Sequence, residues 1–251
     1  MKRVALFLAF LWSGIIGASA QVDRCDVNGD GEVDISDVTY VVDHILGRGH
    51  ASTPSEEAGE AIDLDLPSGN KWASCNVGAT KPEEYGGYYA WGETEEKSVY
   101  NNVSYKYADG VDSDGNGWYD GDCTYQSLGA DISGTKYDVA HLKWGGKWCM
   151  PTRDDFMELF DNCTYEWTTL NGVEGRRFTS KHTDNSIFLP AAGCRRNDNL
   201  IEAGEEGDYW SSTKFEYFSG CGCGLYFDSV NAYWTDLDFR SGRSVRPVIK
   251  K

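Results

Sequence analysis

The sequence predicts an α+β domain with much irregular loop, behind a short loop-and-helix unit. Three observations carry that expectation. From Ala61 onward, short runs of strand-forming residues are separated by glycine-rich turns. One helix signal stands among them: Thr152 to Asp155 has capping-box spacing, with Asp in place of Glu, and Phe156, Leu159 and Phe160 share a face behind it. Ahead of both, Val38, Val41, Val42 and Ile45 recur at i, i+3, i+4 and i+7, one face of a helix that Gly47 ends.

In chain order, residues 1–20 read as a secretory signal peptide. Lys2 and Arg3 form a basic head, Val4 to Trp12 an apolar run too short to span a bilayer, and Ala18-Ser19-Ala20 a small-x-small cleavage site. The expected product is secreted or held at the cell surface, with no membrane span after cleavage. Residues 22–47 form the loop-helix unit. Residues 48–60 are polar, lack periodicity and read as a linker. Residues 61–251 form the main domain. Its strands are expected at Gly87 to Trp91, Arg177 to Ser180, Ile187 to Ala191, Tyr209 to Ser212, Leu225 to Asp228 and Ser244 to Val248.

The chain carries 23 Lys and Arg against 40 Asp and Glu, a formal charge of −17. Loss of Lys2 and Arg3 with the leader makes it more negative. So acidic a chain repels nucleic acid and anionic lipid and is compatible with bound cations. All eight cysteines follow the leader. An even count in an oxidising compartment suggests disulfides. The domain also has enough apolar residues to bury free thiols, so pairing stays open.

Residues 26 to 37 read Asp-Val-Asn-Gly-Asp-Gly-Glu-Val-Asp-Ile-Ser-Asp. Side-chain oxygens fall at loop positions 1, 3, 5, 9 and 12: Asp26, Asn28, Asp30, Asp34 and Asp37. Glu32 at position 7 offers a backbone carbonyl, and Gly31 permits the sharp turn. Hard oxygens wrapped around a compact loop at this spacing are the ligand set of Ca2+. An EF-hand would carry Glu at position 12 and a helix before the loop; this chain has Asp37 and no room for that helix. The pattern resembles a type I dockerin repeat over residues 26–47. The resemblance implies a calcium-loaded adaptor that docks into a cohesin-like module. One repeat is visible where dockerins have two. Ile35 and Ser36 stand at positions 10 and 11, where cohesin contact usually uses hydroxyl residues. A cohesin adaptor and a calcium-stiffened spacer are both compatible with this. A weaker echo follows at Asp112, Asp114, Asn116 and Asp120, which match positions 1, 3, 5 and 9 of a second calcium loop; position 12 is Cys123.

The main domain has its own motifs. They are Lys71 to Ala79, Gly86 to Glu93, Trp144 to Thr152, Phe188 to Gly193, Tyr209 to Ser212 and Gly242 to Val248. In this order they resemble the Fibrobacter succinogenes major paralogous domain, of secreted and surface proteins of Bacteroidetes and Fibrobacter, over roughly residues 62–250. That resemblance implies a C-type-lectin-like fold: a small twisted sheet, flanking helices and ligand-carrying loops. Cys149 and Cys194 replace an Arg and a Tyr usual in the family, and this paired departure implies a disulfide between them. Trp72, Trp91, Trp144, Trp148 and Trp210, flanked by glycine, read as core.

No nucleophile, zinc or phosphate-loop motif is present, and the four histidines are scattered. The expectation is therefore a non-catalytic binding protein for a glycan or a surface protein. Two alternatives stand beside it. One is an accessory component of a dockerin–cohesin polysaccharide-degrading complex. The other, resting on fold kinship with formylglycine-generating enzymes, is a cysteine oxidase using Cys221 and Cys223, although Cys-Gly-Cys among glycines reads first as a disulfide-bearing loop. The binding candidates are the stretch Arg195 to Glu206 and the patch Tyr233, Trp234, Asp236, Asp238 and Arg240. Aromatic faces can stack on sugars while carboxylates and guanidinium fix hydroxyls.

Overall fold

The computed structural model describes residues 58–251 apart from 111, 114–115 and 117–122. The signal peptide, the 22–47 unit and most of the 48–60 linker lie outside the described residues.

Among the described residues the chain forms fourteen strands and two helices. The strands are β1 (Ala61–Asp63), β2 (Lys71–Ala73), β3 (Ala108–Asp109), β4 (Thr124–Tyr125), β5 (Trp148–Cys149), β6 (Cys163–Leu170), β7 (Val173–Ser180), β8 (Ser186–Pro190), β9 (Cys194–Arg196), β10 (Asn199–Ile201), β11 (Gly207–Lys214), β12 (Cys221–Phe227), β13 (Ala232–Asp238) and β14 (Val248–Ile249). The helices are α1 (Val139–Trp144) and α2 (Arg153–Asn162). This corrects the α+β expectation, and with it the C-type-lectin-like arrangement. The architecture is predominantly β, in several small antiparallel sheets. The cause is local. Glycine turns cut the chain into short runs that pair with their neighbours, and among the described residues only Arg153–Asn162 forms a helix of more than two turns.

The hairpins follow from their turns. β6 and β7 pair from Cys163↔Ser180 to Leu170↔Val173, leaving Asn171-Gly172 as a two-residue turn. Both turn residues have positive φ, 49° and 86°, the backbone that Asn-Gly adopts at lowest cost in a tight hairpin. β12 turns into β13 where the Asp228 carboxylate accepts from Val230 N and Asn231 N, each at 2.6 Å. One sheet is long-range, with order β1-β2-β14-β5, and it joins the first and last strands of the domain. The α2 capping box forms as spaced in the sequence. Thr152 Oγ1 and the Asp155 carboxylate satisfy each other's backbone N–H groups.

Two hydrophobic clusters fill the interior. Trp91, Trp210, Tyr105, Phe239 and Val245 belong to one. Trp72, Phe156, Leu159, Phe178, Leu225, Phe227 and Val248 belong to the other. Trp72, Trp91, Trp144, Trp148 and Trp210 are all buried. Cys221-Gly222-Cys223-Gly224 is strand β12, which corrects the reading as a disulfide-bearing loop. Strand alternation sends the glycines to one face and the cysteines to the other. A Cβ on Gly224 would sit 2.2 Å from Leu237 Cδ1 and 2.5 Å from Tyr209 O, so only glycine lets β12 approach there. The expected Cys149–Cys194 disulfide is absent, since both thiols are free and buried. Cys149 Sγ donates to Val248 O, and Cys194 lies beside Asp208.

Candidate functional site

The site is a depression of about 420 Å³ where β13, the turn after it and the β9–β10 hairpin meet. β13 alternates, so Asp236 and Asp238 share a face with Trp234, while Tyr233 and Leu237 point the other way. The turn after β13 adds Arg240 and Ser241. The hairpin brings Arg196 and Asn197, with Asn197 at φ 52° in its two-residue turn. Two backbone pairs hold that hairpin in place. Arg195 exchanges both bonds with Gly242 at 2.8 and 3.0 Å, and Asn197 exchanges both with Tyr100 at 2.8 Å. Cys221 opposite Asp238 completes the lining.

Under the depression lies an ionic network. Arg243 is 1% exposed. Its Nη2 donates to Asp238 Oδ1 at 2.8 Å and its Nη1 to Asp238 O at 2.8 Å. Asp208 Oδ2 lies 3.9 Å from its Nε. The guanidinium stacks over the Trp210 ring at 4.7 Å. Asp238 Oδ2 accepts from Ser241 Oγ at 2.7 Å and faces Arg240 Nε at 3.4 Å. Burial alone would raise the Asp238 carboxyl, but Arg243, Ser241 and Arg240 together hold it at about 2. Burial works against the Arg243 cation, yet Asp238 and Asp208 outweigh it and raise its pKa. For Asp208 burial wins, and its pKa is raised despite Arg243. Asp238 is therefore a fixed anion that orients the floor. Asp236 and Arg196 are exposed at the mouth and can take part in exchange with a ligand.

The patch expected from Tyr233 to Arg240 is divided. Asp236, Asp238 and Arg240 line the depression. Tyr233, 49% exposed, packs at 5.2 Å on Tyr226. Trp234, 39% exposed, lies under the Arg153 guanidinium at 5.5 Å. Neither aromatic lines the depression. Arg196 and Asn197 come from the other candidate stretch, so two segments separated in sequence converge here. Tyr100, Ser241 and the Arg243–Asp208 pair carried no signal as site residues, and Cys221 stood out only as a thiol. Of these, only the Gly242-Arg243 step marked a motif.

Burial, and then the carboxylates of Asp236 and Asp238, raise the Cys221 thiol; burial also raises Cys223, to about 11. Both stay protonated at neutral pH, the weakly nucleophilic form. Asp26, Asn28, Asp30, Glu32, Asp34 and Asp37 lie outside the described residues, as do Asp114 and Asp120. Asp112 Oδ1 accepts from Asn116 N at 3.2 Å. Among the described residues no three His, Cys, Asp or Glu side chains converge on a metal-sized site. Among them, too, no helix is long and apolar enough to cross a membrane.

Comparison with known families locates one module. Residues 24–66 match the dockerin type I domain. No curated protein and no solved structure matches the chain. The dockerin match takes in the whole loop from Asp26 to Asp37 and ends inside the described domain. Its last residues form β1, pair with β2, and bury Leu64 and Leu66 in the second core cluster.

Proposed function

We propose that this is an exported accessory protein that a dockerin-type calcium module attaches to a cohesin-bearing assembly. The match over residues 24–66 carries the reading. Its loop offers five side-chain oxygens and a carbonyl, hard donors that fit calcium and would fit a soft metal poorly. Asp26, Asn28, Asp30, Asp34 and Asp37 would hold the ion, with Glu32 through its backbone. Calcium bound there cross-links a segment too short to fold on its own core. The test is capture of the full exported chain on an immobilised type I cohesin. Capture is expected in calcium, lost in EDTA, and abolished in Asp26→Ala/Asp30→Ala. A parent chain that takes up calcium by calorimetry and is not captured overturns the reading.

A second reading concerns what the chain contributes once attached, and the convergence at the depression supports it. Residues 58–251 act as a non-catalytic glycan-binding module. Arg196 and Asn197 supply donors, Asp236 and Asp238 supply acceptors, and opposite charges balance across the depression within a strongly acidic chain. A neutral, hydroxyl-rich ligand matches that mixture better than an ion of either sign.

A further inference from the structure

The loop between β11 and β12 departs from ordinary turn chemistry. Phe215, Tyr217 and Phe218 crowd into it where Gly, Asn, Asp and Ser would be expected. Tyr217 is 83% and Phe218 59% exposed. The rings are organised against each other. Phe218 stacks on Phe215 at 5.7 Å, and Tyr217 meets Phe215 edge-on at 5.7 Å.

The loop is also braced at its base. Phe215 N donates to Cys221 O at 3.0 Å, and Phe239 N donates to Gly220 O at 2.8 Å. Gly220 turns at φ 79°, and the Tyr125 ring lies 2.6 Å from where a Cβ would stand. The residue that leaves the loop, Cys221, lines the polar depression. The aromatic tip is thus joined to the depression through Cys221, three residues along the chain from Phe218, and its base is held by β12 and by Phe239, which follows β13.

We propose that Tyr217 and Phe218 form a stacking subsite for a second sugar of an oligosaccharide whose first sugar occupies the depression. The inference rests on the glycan reading of the depression and adds the ligand's length. Rings already packed on Phe215, one stacked and one edge-on, give up little side-chain freedom on binding, and a pyranose offers them a C–H face. The polar groups next to the tip then serve the hydroxyls of the neighbouring ring. The chain's charge argues against an anionic lipid surface as the occupant.

The test uses the full exported chain in native gels containing galactomannan, xyloglucan or arabinoxylan. At least one polysaccharide should retard it. With the mono- and disaccharide units of that polymer, affinity should rise about tenfold from monosaccharide to disaccharide. Tyr217→Ala/Phe218→Ala should remove the rise with no change in melting temperature, and Asp236→Ala should weaken ligands of every length. A length dependence that survives in the Tyr217/Phe218 variant, while Asp236→Ala abolishes binding, overturns the tip and leaves the depression. Retardation by none of the polymers overturns both. If the same double variant loses self-association in place of sugar binding, the tip is a contact between copies and the proposal fails.

Discussion

Arg243 and Arg246 stand in one motif, are both fully buried, and are held by opposite chemistry. Among the described residues Arg246 meets no carboxylate. Its Nε donates to Asn76 Oδ1 at 2.8 Å, Nη1 to Ala73 O and Ser74 O at 3.1 and 3.0 Å, and Nη2 to Phe188 O at 2.9 Å. Burial draws its pKa down to about 10, so it is still a cation at neutral pH. Arg243 sits between two aspartates, which raise its pKa. One guanidinium ties neutral acceptors of residues 73–76 and of Phe188 to the closing motif. The other is one charge in a network that reaches the surface depression. A buried arginine is thus evidence of architecture or of a site according to what faces it.

The largest effect expected is at Arg246. Arg246→Met keeps the apolar stem and leaves four acceptor oxygens buried without a donor. The cost should be about 5 kcal/mol, seen in denaturant unfolding, and should be the same at pH 4 and pH 7 because no partner titrates. Arg243→Met should cost about 3 kcal/mol at pH 7, where Asp238 and Asp208 lose their cation. That loss should shrink on acidification, since both carboxylates can then take up protons. A pH-independent loss at Arg243, or a pH-dependent one at Arg246, breaks the distinction. The smallest effect is at Asp238. Its carboxyl is held at about 2, below the usual 3.8. Stability from this group is complete above the ordinary value and is lost as pH falls through the native one. Asp238→Asn should remove about 2 kcal/mol at pH 6 and flatten acid unfolding between about pH 4 and 2. An unchanged acid limb in that variant means Arg243 does not hold Asp238 as the geometry indicates.

The α2 start was legible because its signal is local. Thr152 and Asp155 are spaced to cap each other, and Phe156 and Leu159 follow on one face. The β6–β7 hairpin was also written locally, in Asn171-Gly172 between strand-forming runs, yet no strand was expected at Cys163–Leu170. That strand is exposed along much of both faces, so it lacks the alternation that marks a half-buried strand. β13 is missing from the expected strands because its charges and aromatics stand out as a binding patch; seven residues pairing with β12 make it a strand. Asp236, Asp238 and Arg240 were legible as chemistry. That Arg196 would meet them, and Tyr233 and Trp234 would not, depends on the Arg195–Gly242 pairing and on which face each residue takes. Neither arginine of the closing motif announced its burial, since arginine next to glycine and serine is normally at the surface.

The short strand β1 acquires a mechanical meaning if the segment before it is a tether. Glu60 N donates to Ser74 Oγ at 2.9 Å, and Ser74 N returns a bond to Glu60 O at 2.8 Å. Ala61, Ile62 and Asp63 then pair with Ala73, Trp72 and Lys71. Tension arriving along the chain from ahead of residue 58 meets this clasp before anything else in the domain. β1 is an outer strand with a neighbour on one side, whereas β14 is held on both. The first part to give way under a pull is therefore the clasp and then Leu64 and Leu66, while the closing motif with its two arginines keeps the depression assembled behind them.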